Sequence, residues 1–493
     1  MNLISNICST LCPQLEDGEE ARQTERAIDA SLRFPTLGLI KGAAVWLVIA
    51  LAFGIVSFIK LVSPDFMGDS ATFTYGKVVP AFWNALVYGF AFNGGLACAT
   101  WTIGRLTGKA TGLNITLVIG IIAWNFSVLF GLGGIFWGDQ TPFSLLEFPP
   151  YAAYMLLASF ALIGFWALKT FNKRIFRSTF AAQWHLVAAV FAFIWILSVA
   201  IIMLYCAPVQ GVFQGLVAAW YSSNLLGLVL FPMTFAALYY FIPKVFGTPI
   251  VGYRYSGIAF WTWMLFTAFS GPAALVNGPV PFWVSSIGVL ATFGLLMPTT
   301  TLSIQFLSSL LGNFSNIWKT IAGRFLLIGA LSFTLYSLLS IYASWRMTNE
   351  VIQFSLFDSG LMILGLLGFV GMTLIGGMYY ILPRIVNKSL PSNIIDLQFW
   401  AQSFGLILMV GSLLYGGYQQ GALLNGSSDS SLVTILTVSQ SFLFVTILGA
   451  VFYLFGAVAF MVSYIWVTLS SRSETEKSAE LVKASSDLEY SAS

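Results

Sequence analysis

Few side chains in this sequence could carry acid–base, metal or redox chemistry. Among 493 residues there is 1 His, with 4 Cys and 19 Asp+Glu. His185, in the string AAQWHL, opens an apolar run and reads as either a proton relay or an interfacial residue beside Trp184, the second being favoured. Asp358 lies just inside another apolar run, where a carboxylate either closes a proton or cation path or sits in the headgroup layer. Cys8 and Cys12 are spaced like half of a metal site, but no His or further Cys is near, so a pair of thiols or a lipidation site is the plainer reading. Cys98 and Cys206 fall in or beside apolar runs, where cysteine packs as a small hydrophobe. Ser222, Ser223, Thr267 and Ser270 lie in apolar runs too, where hydroxyls usually bond back to their own helix. A single imidazole cannot build a bis-His haem site or a three-His copper site.

The elements that must position these groups are membrane helices. The composition is 58% hydrophobic and 8% charged, far from the roughly one quarter charged of a soluble domain. Stretches of about twenty apolar residues predict twelve spans, near 43–62, 78–103, 113–137, 149–168, 180–205, 211–241, 255–272, 281–306, 323–343, 352–382, 394–418 and 440–469. With the N-terminus placed inside, all Lys and Arg except Lys60, Lys77 and Arg346 fall on cytoplasmic segments, which predicts both termini in the cytoplasm. Residues 1–42 read as a polar N-terminal tail, 43–469 as one all-α membrane domain and 470–493 as a disordered tail. Nothing points to a nucleic-acid partner; the surrounding partner is membrane lipid. Pro232 and Gly271-Pro272 are candidate breaks in spans. Two span ends, YYFIPK from Tyr239 and YYILPR from Tyr379, are alike; shared interfacial anchors explain this more simply than an internal duplication.

Several strings, in order, resemble the catalytic subunit I of cbb3-type cytochrome c oxidases in the heme-copper oxidase superfamily. LVAAWYSSNLLG from Leu216 is similar to that family's VQWWYGHNAVG, and YYFIPK follows at the same spacing. GYRYS from Gly252, Phe260-Trp261 and SGPAALVNGPVPFW from Ser270 resemble YRLS, FW and AGPHHLHYTALPDW. GKVVPAFWNALVYGFAFNGG from Gly76, AWN at Ala123, LEFP at Leu146 and GGMYYILPR from Gly376 extend the likeness over about residues 76 to 425.

The resemblance implies a twelve-helix subunit I bundle in a bacterial inner membrane, with haem and copper as the family's cofactors. Carried across residue by residue, the low-spin haem ligand falls on Phe82. The copper ligands fall on Ser223, Ala273 and Ala274, and the redox tyrosine on Thr267. The pair that ligates both haems falls on Leu361 and Ile363, and Met362 or Cys98 is at best a weak substitute. The expectation is a chain without cofactors: a degenerate homologue acting as a non-catalytic partner, assembly or regulatory subunit beside a cytochrome-c-type oxidase subunit or another membrane subunit. One alternative is a carrier using the emptied core, with Ser223, Asn224, Thr267, Asn277 and Asp358 as a polar path, His185 as a further candidate, and a neutral or apolar cargo. Another is a working terminal oxidase with atypical ligands.

Overall fold

The computed structural model describes residues 19–110, 115–175, 178–426 and 431–491, with 19–22, 432 and those beyond 469 by backbone alone. Cys8 and Cys12 lie outside the described residues. Every regular element among the described residues is helical. The long helices are α1 (Glu19–Val62), α2 (75–107), α3 (Ile115–Trp137), α4 (Pro150–Asn172), α5 (Ala181–Cys206) and α6 (Val212–Phe246). They continue as α7 (Tyr253–Leu275), α8 (Phe282–Leu311), α9 (Ile321–Ser344), α10 (Leu356–Val386), α11 (Ser392–Asn425) and α12 (Leu432–Ser491).

Eleven helices among the described residues are long and apolar enough to cross a membrane. The remaining long helix, α2, is rich in Gly, Asn, Thr and Trp, and most of it is buried inside the bundle, so it needs less apolar surface. The most enclosed helices, α2, α6 and α10, form the centre, and more lipid-exposed helices surround them. The result is the twelve-helix all-α bundle the apolar runs predict.

Two features were not legible in those runs. Helix α1 starts at Glu19, well inside the expected tail, because Ile28, Leu32, Leu39 and Ile40 bury an apolar face against the bundle. Arg105 of α2 fastens this extension through Asp29 at 2.8 Å and Glu25 at 3.1 Å. At the other end, the apolar part of α12 stops at Leu469 and the helix runs on to Ser491.

The three central helices each widen into π-helical turns, at Ala85–Ala91, Leu225–Leu230 and Leu364–Gly371. Proline supplies one cause: Pro232 has no N–H to return to Leu228, and the widened turns of α6 end just before it. Pro232 therefore does not break α6, which is continuous from Val212 to Phe246. The backbone carbonyls of these turns also take side-chain donors from other helices. Trp124 donates to the Tyr88 carbonyl at 3.0 Å, Trp263 to Gly227 at 2.8 Å and Tyr453 to Leu367 at 3.1 Å. In hydrocarbon such bonds matter because no solvent replaces them.

Candidate functional site

A cavity of about 430 Å³ opens between α6, α7, α8, α9 and α10. Four of the positions that the resemblance assigns to copper ligands and the redox tyrosine, Ser223, Thr267, Ala273 and Ala274, stand on its wall. The Ser223 and Ser270 hydroxyls are 3.2 Å apart, and Ser270 donates to the Thr267 carbonyl at 2.9 Å. The break expected at Gly271-Pro272 is here a tight 3-10 turn, Gly271–Leu275, that carries Ala273 and Ala274. From α10, Asp358, Ser359 and Met362 face the cavity, the one-turn spacing of a single helix face. Leu361 lies instead in a small apolar cluster with Ala343, Ile352 and Phe357, and Ile363 is fully buried in the main core. The cavity-facing side chain of that turn is thus the Met362 thioether, between the two aligned positions.

On the α2 side the bundle is filled. Phe82, at the aligned low-spin haem ligand, is 3% exposed and packs on Trp83 at 4.5 Å and Phe58 at 6.3 Å between ring centroids. Further along α2, Tyr88 and Phe92 join Trp124, Phe160 and Phe193 in a cage of rings. This is dry packing with ring contacts at 4.2 Å (Phe160 with Phe193) and above.

The loop between α3 and α4 joins the two regions. Its Ser144 and Leu145 reach the cavity wall, while Glu147 accepts a hydrogen bond of 2.6 Å from Asn84 of α2. Burial pushes the Glu147 carboxyl up to about 7, against the opposing pull of the Asn84 donor. Tyr88 donates to the Leu145 carbonyl at 2.6 Å. Its proton is thereby used, so Tyr221, 2.5 Å away, donates to Tyr88. Leu145 is held at a φ of +59°, a strained value for a leucine, by the bonds on either side of it. In the sequence Glu147 is a carboxylate at a span end, inside the LEFP string, and nothing there signals its bond to Asn84.

The other candidates are dispersed. His185 is fully buried, away from the cavity wall, under Phe235, Tyr239 and Phe260. Its Nδ1 lies 2.8 Å from the Ala181 carbonyl, and since a carbonyl only accepts, Nδ1 carries the proton. Asn224 is buried and donates to the Trp220 carbonyl at 2.7 Å, leaving its Oδ1 without a partner. Asn277 is exposed at a φ of +63° in the turn after α7. Cys98 is buried with its thiol toward the Leu374 carbonyl, 3.8 Å away. Asp396, at a span end, pairs with Arg324 at 2.5 Å. The cavity thus gathers Ser223, Thr267 and Asp358, and leaves Asn224, Asn277 and His185 off its wall.

The family model for cytochrome c and quinol oxidase polypeptide I matches residues 36–452, and the chain belongs to that family. It is a cbb3-type subunit I-like protein. It is 22% identical to the Cbb3-type cytochrome c oxidase subunit CcoN1 of Stutzerimonas stutzeri, over 88% of this chain and 94% of that one. A cytochrome c oxidase subunit 1 homolog from the bacteroid of Bradyrhizobium diazoefficiens is likewise 22% identical, over 87% of this chain and 80% of the relative. A cryo-EM structure described as a heme-copper terminal oxidase dimer superposes with a TM-score of 0.74 at 13% identity, covering 89% of this chain and 84% of that chain; it shows the shared fold.

These matches overturn the expectation that no cofactor belongs with this chain. Its family is one of oxidases and its structural relative is a heme-copper enzyme, so haem and copper are the cofactors of the group it sits in. The side chains at the aligned positions are a separate matter. Copper held by three imidazoles has no counterpart in Ser223, Ala273 and Ala274. Among the described residues no three His, Cys, Asp or Glu side chains converge. Met362 gives the cavity wall one thioether and Asp358 one carboxylate. This donor set does not fit a haem–copper pair ligated in the family's manner.

Proposed function

We propose that this multi-pass protein is a non-catalytic counterpart of cbb3-type oxidase subunit I. In this reading it works in a bacterial inner membrane as a partner, assembly or regulatory subunit of a respiratory oxidase, with both termini in the cytoplasm. One observation carries the reading: the cavity is walled by Ser223, Thr267, Ala273 and Ala274, which offer hydroxyls and methyls at the positions where the resemblance calls for imidazoles and a phenol. Subunit I of an oxidase normally works beside other membrane subunits. A scaffold that keeps the fold retains helix surfaces for such partners even when the reaction centre has changed.

Oxygen uptake with reduced cytochrome c, measured on the purified chain alongside its iron and copper content, tests the catalytic half. The expected result is no uptake above background. Turnover together with stoichiometric iron and copper would sink the reading. Affinity purification from membranes tests the other half, with enrichment of a haem-c-bearing oxidase subunit as the expected outcome. A carrier role is the second reading, favoured by the same cavity, and proteoliposome flux assays address it.

A further inference from the structure

The cavity is more than a vacated space, because its lining has a consistent chemical character. Its volume of about 430 Å³ is that of a small-molecule site. The wall holds no Lys, Arg or His, and one carboxylate, Asp358. The ion pairs among the described residues use Arg105 and Arg324, so no described cation pairs with Asp358. Asp358 is exposed to this cavity in the first turn of α10, where the helix N-terminus favours a negative charge, and no cationic side chain of the wall competes for it.

Two further observations point to a ligand. Four polar atoms on the wall are buried and without a hydrogen-bond partner: the hydroxyls of Thr267, Thr299 and Ser337, and the Oδ1 of Asn349. Thr267 is 3% exposed, Thr299 1% and Ser337 5%. Such atoms also occur elsewhere in the bundle, His185 and Ser463 among them, but these four gather on one cavity wall, where a bound molecule can bond to them. Aromatic residues also line the wall, namely Trp83, Phe231, Trp263 and Tyr336. Rings attract a cation through their π faces, most strongly when it is poorly hydrated. A bare metal ion would make little use of four aromatic residues or of this volume, and a neutral solute would make no use of the one charge on the wall.

We propose that this cavity binds a small organic ammonium ion, with Asp358 as counter-charge, the aromatic residues around the cationic head and the unpartnered hydroxyls and amide bonding its polar part. The proposal rests on the reading that this position no longer holds the family's haem and copper. It replaces the neutral or apolar cargo expected from the sequence. Scarcity of charge along the chain suggested that cargo although Asp358 was already in the expected polar path; the cavity wall adds the aromatic residues and the unpartnered hydroxyls to that carboxylate.

The test is calorimetric titration of the purified full chain in lipid nanodiscs with choline, with choline's uncharged carbon analogue, and with sodium ion. Choline is expected to bind at least about tenfold more tightly than the uncharged analogue. Asp358→Asn abolishes that discrimination and Asp358→Glu keeps it. Equal affinity for choline and its analogue, binding of sodium alone, or no binding to wild type each overturns the proposal. The wild-type comparison needs no variant, so a misfolded Asp358→Asn leaves the test intact. Metal analysis of the same preparation separates two failures. Stoichiometric iron and copper with oxygen uptake removes the non-catalytic reading, whereas absent ammonium binding without that chemistry removes this inference alone.

Discussion

Two regions of one bundle show different outcomes at positions to which the resemblance in the sequence assigns metal ligands. Along α2, Phe82 stands in a stack of rings, and the helix is packed by aromatic side chains through to Phe193. Between α6 and α10, small side chains such as Ser223, Ala273 and Ala274 leave a polar-lined space. Losing a donor atom does not by itself decide the fate of the volume around it. A large apolar replacement converts the position into ordinary core, and a small replacement leaves a volume whose lining polar groups need partners.

The largest effect is expected where packing is complete. Phe82→Ala removes a ring that touches Trp83 and Phe58 and leaves a hole that α1 and α2 cannot close without moving. The expected cost is about 3 kcal/mol, the low end for a soluble core, since lipid and not water solvates the ring when helices separate. Apparent unfolding free energy in denaturing detergent measures it, and a cost below about 1 kcal/mol would show that the ring stack is not tightly packed.

The joining loop gives the next effect, and it depends on pH. The Glu147 carboxyl is raised from 4.5 to about 7 in the folded chain, so the folded state holds the proton more firmly than the unfolded state. Stability from this group is therefore greatest at low pH, falls as pH rises from 4.5 to about 7 and levels off above that. The full difference is on the order of 3 kcal/mol. Glu147→Gln keeps an acceptor for Asn84 and should flatten the profile between about pH 5 and pH 8. A variant whose unfolding midpoint still falls over that range by the wild-type amount would assign the dependence to another group.

The parts of the fold and site that were legible in the sequence divide along the same line. Apolar runs place the membrane helices to within a few residues at most ends, because each must cover the hydrocarbon with a fixed rise. The outer part of α1 was missed because Ile28 and Leu32 are spaced among charged residues, and the partner that makes this stretch helical, Arg105, is distant in sequence. The π-helical turns have no sequence period of their own. At the site, similarity of strings led to Ser223, Thr267 and Ala273, and the polar-path reading grouped Asp358 with them, but neither could show that Met362 would share their cavity, or that Asn277 would face outward. Those placements depend on helix rotation, and shifting an alignment by a single residue, as between Leu361 and Met362, turns a helix by about 100°.

A smaller effect sharpens the comparison using one kind of bond in both regions. Trp124 and Trp263 each donate their indole N–H to a carbonyl of a π-helical turn, at 3.0 Å and 2.8 Å. Trp124 is enclosed by Phe92, Phe160 and Phe193, while Trp263 lines the cavity. With Phe in place of Trp124 the Tyr88 carbonyl stays bare, at a cost of about 2 kcal/mol. With Phe in place of Trp263, the space freed by the indole N–H admits a water to the Gly227 carbonyl from the cavity side and the cost drops to about 1 kcal/mol. Equal losses of unfolding free energy in the two variants would mean that the cavity is as dry as the ring cage.

The smallest effect should have the opposite sign. The Thr267 hydroxyl is buried on the cavity wall with no partner, and valine has nearly the same shape without the polar atom. In empty protein, Thr267→Val therefore relieves an unmet hydrogen bond and stabilises the fold by up to about 1 kcal/mol. If the hydroxyl exists to bond a ligand, the same variant weakens choline binding measurably while raising the unfolding midpoint. A residue kept only for packing would give no such opposition, because a swap of equal volume leaves both quantities unchanged. Movement of stability and affinity in opposite directions at Thr267 is thus what separates a built site from a space left behind when ligands were lost.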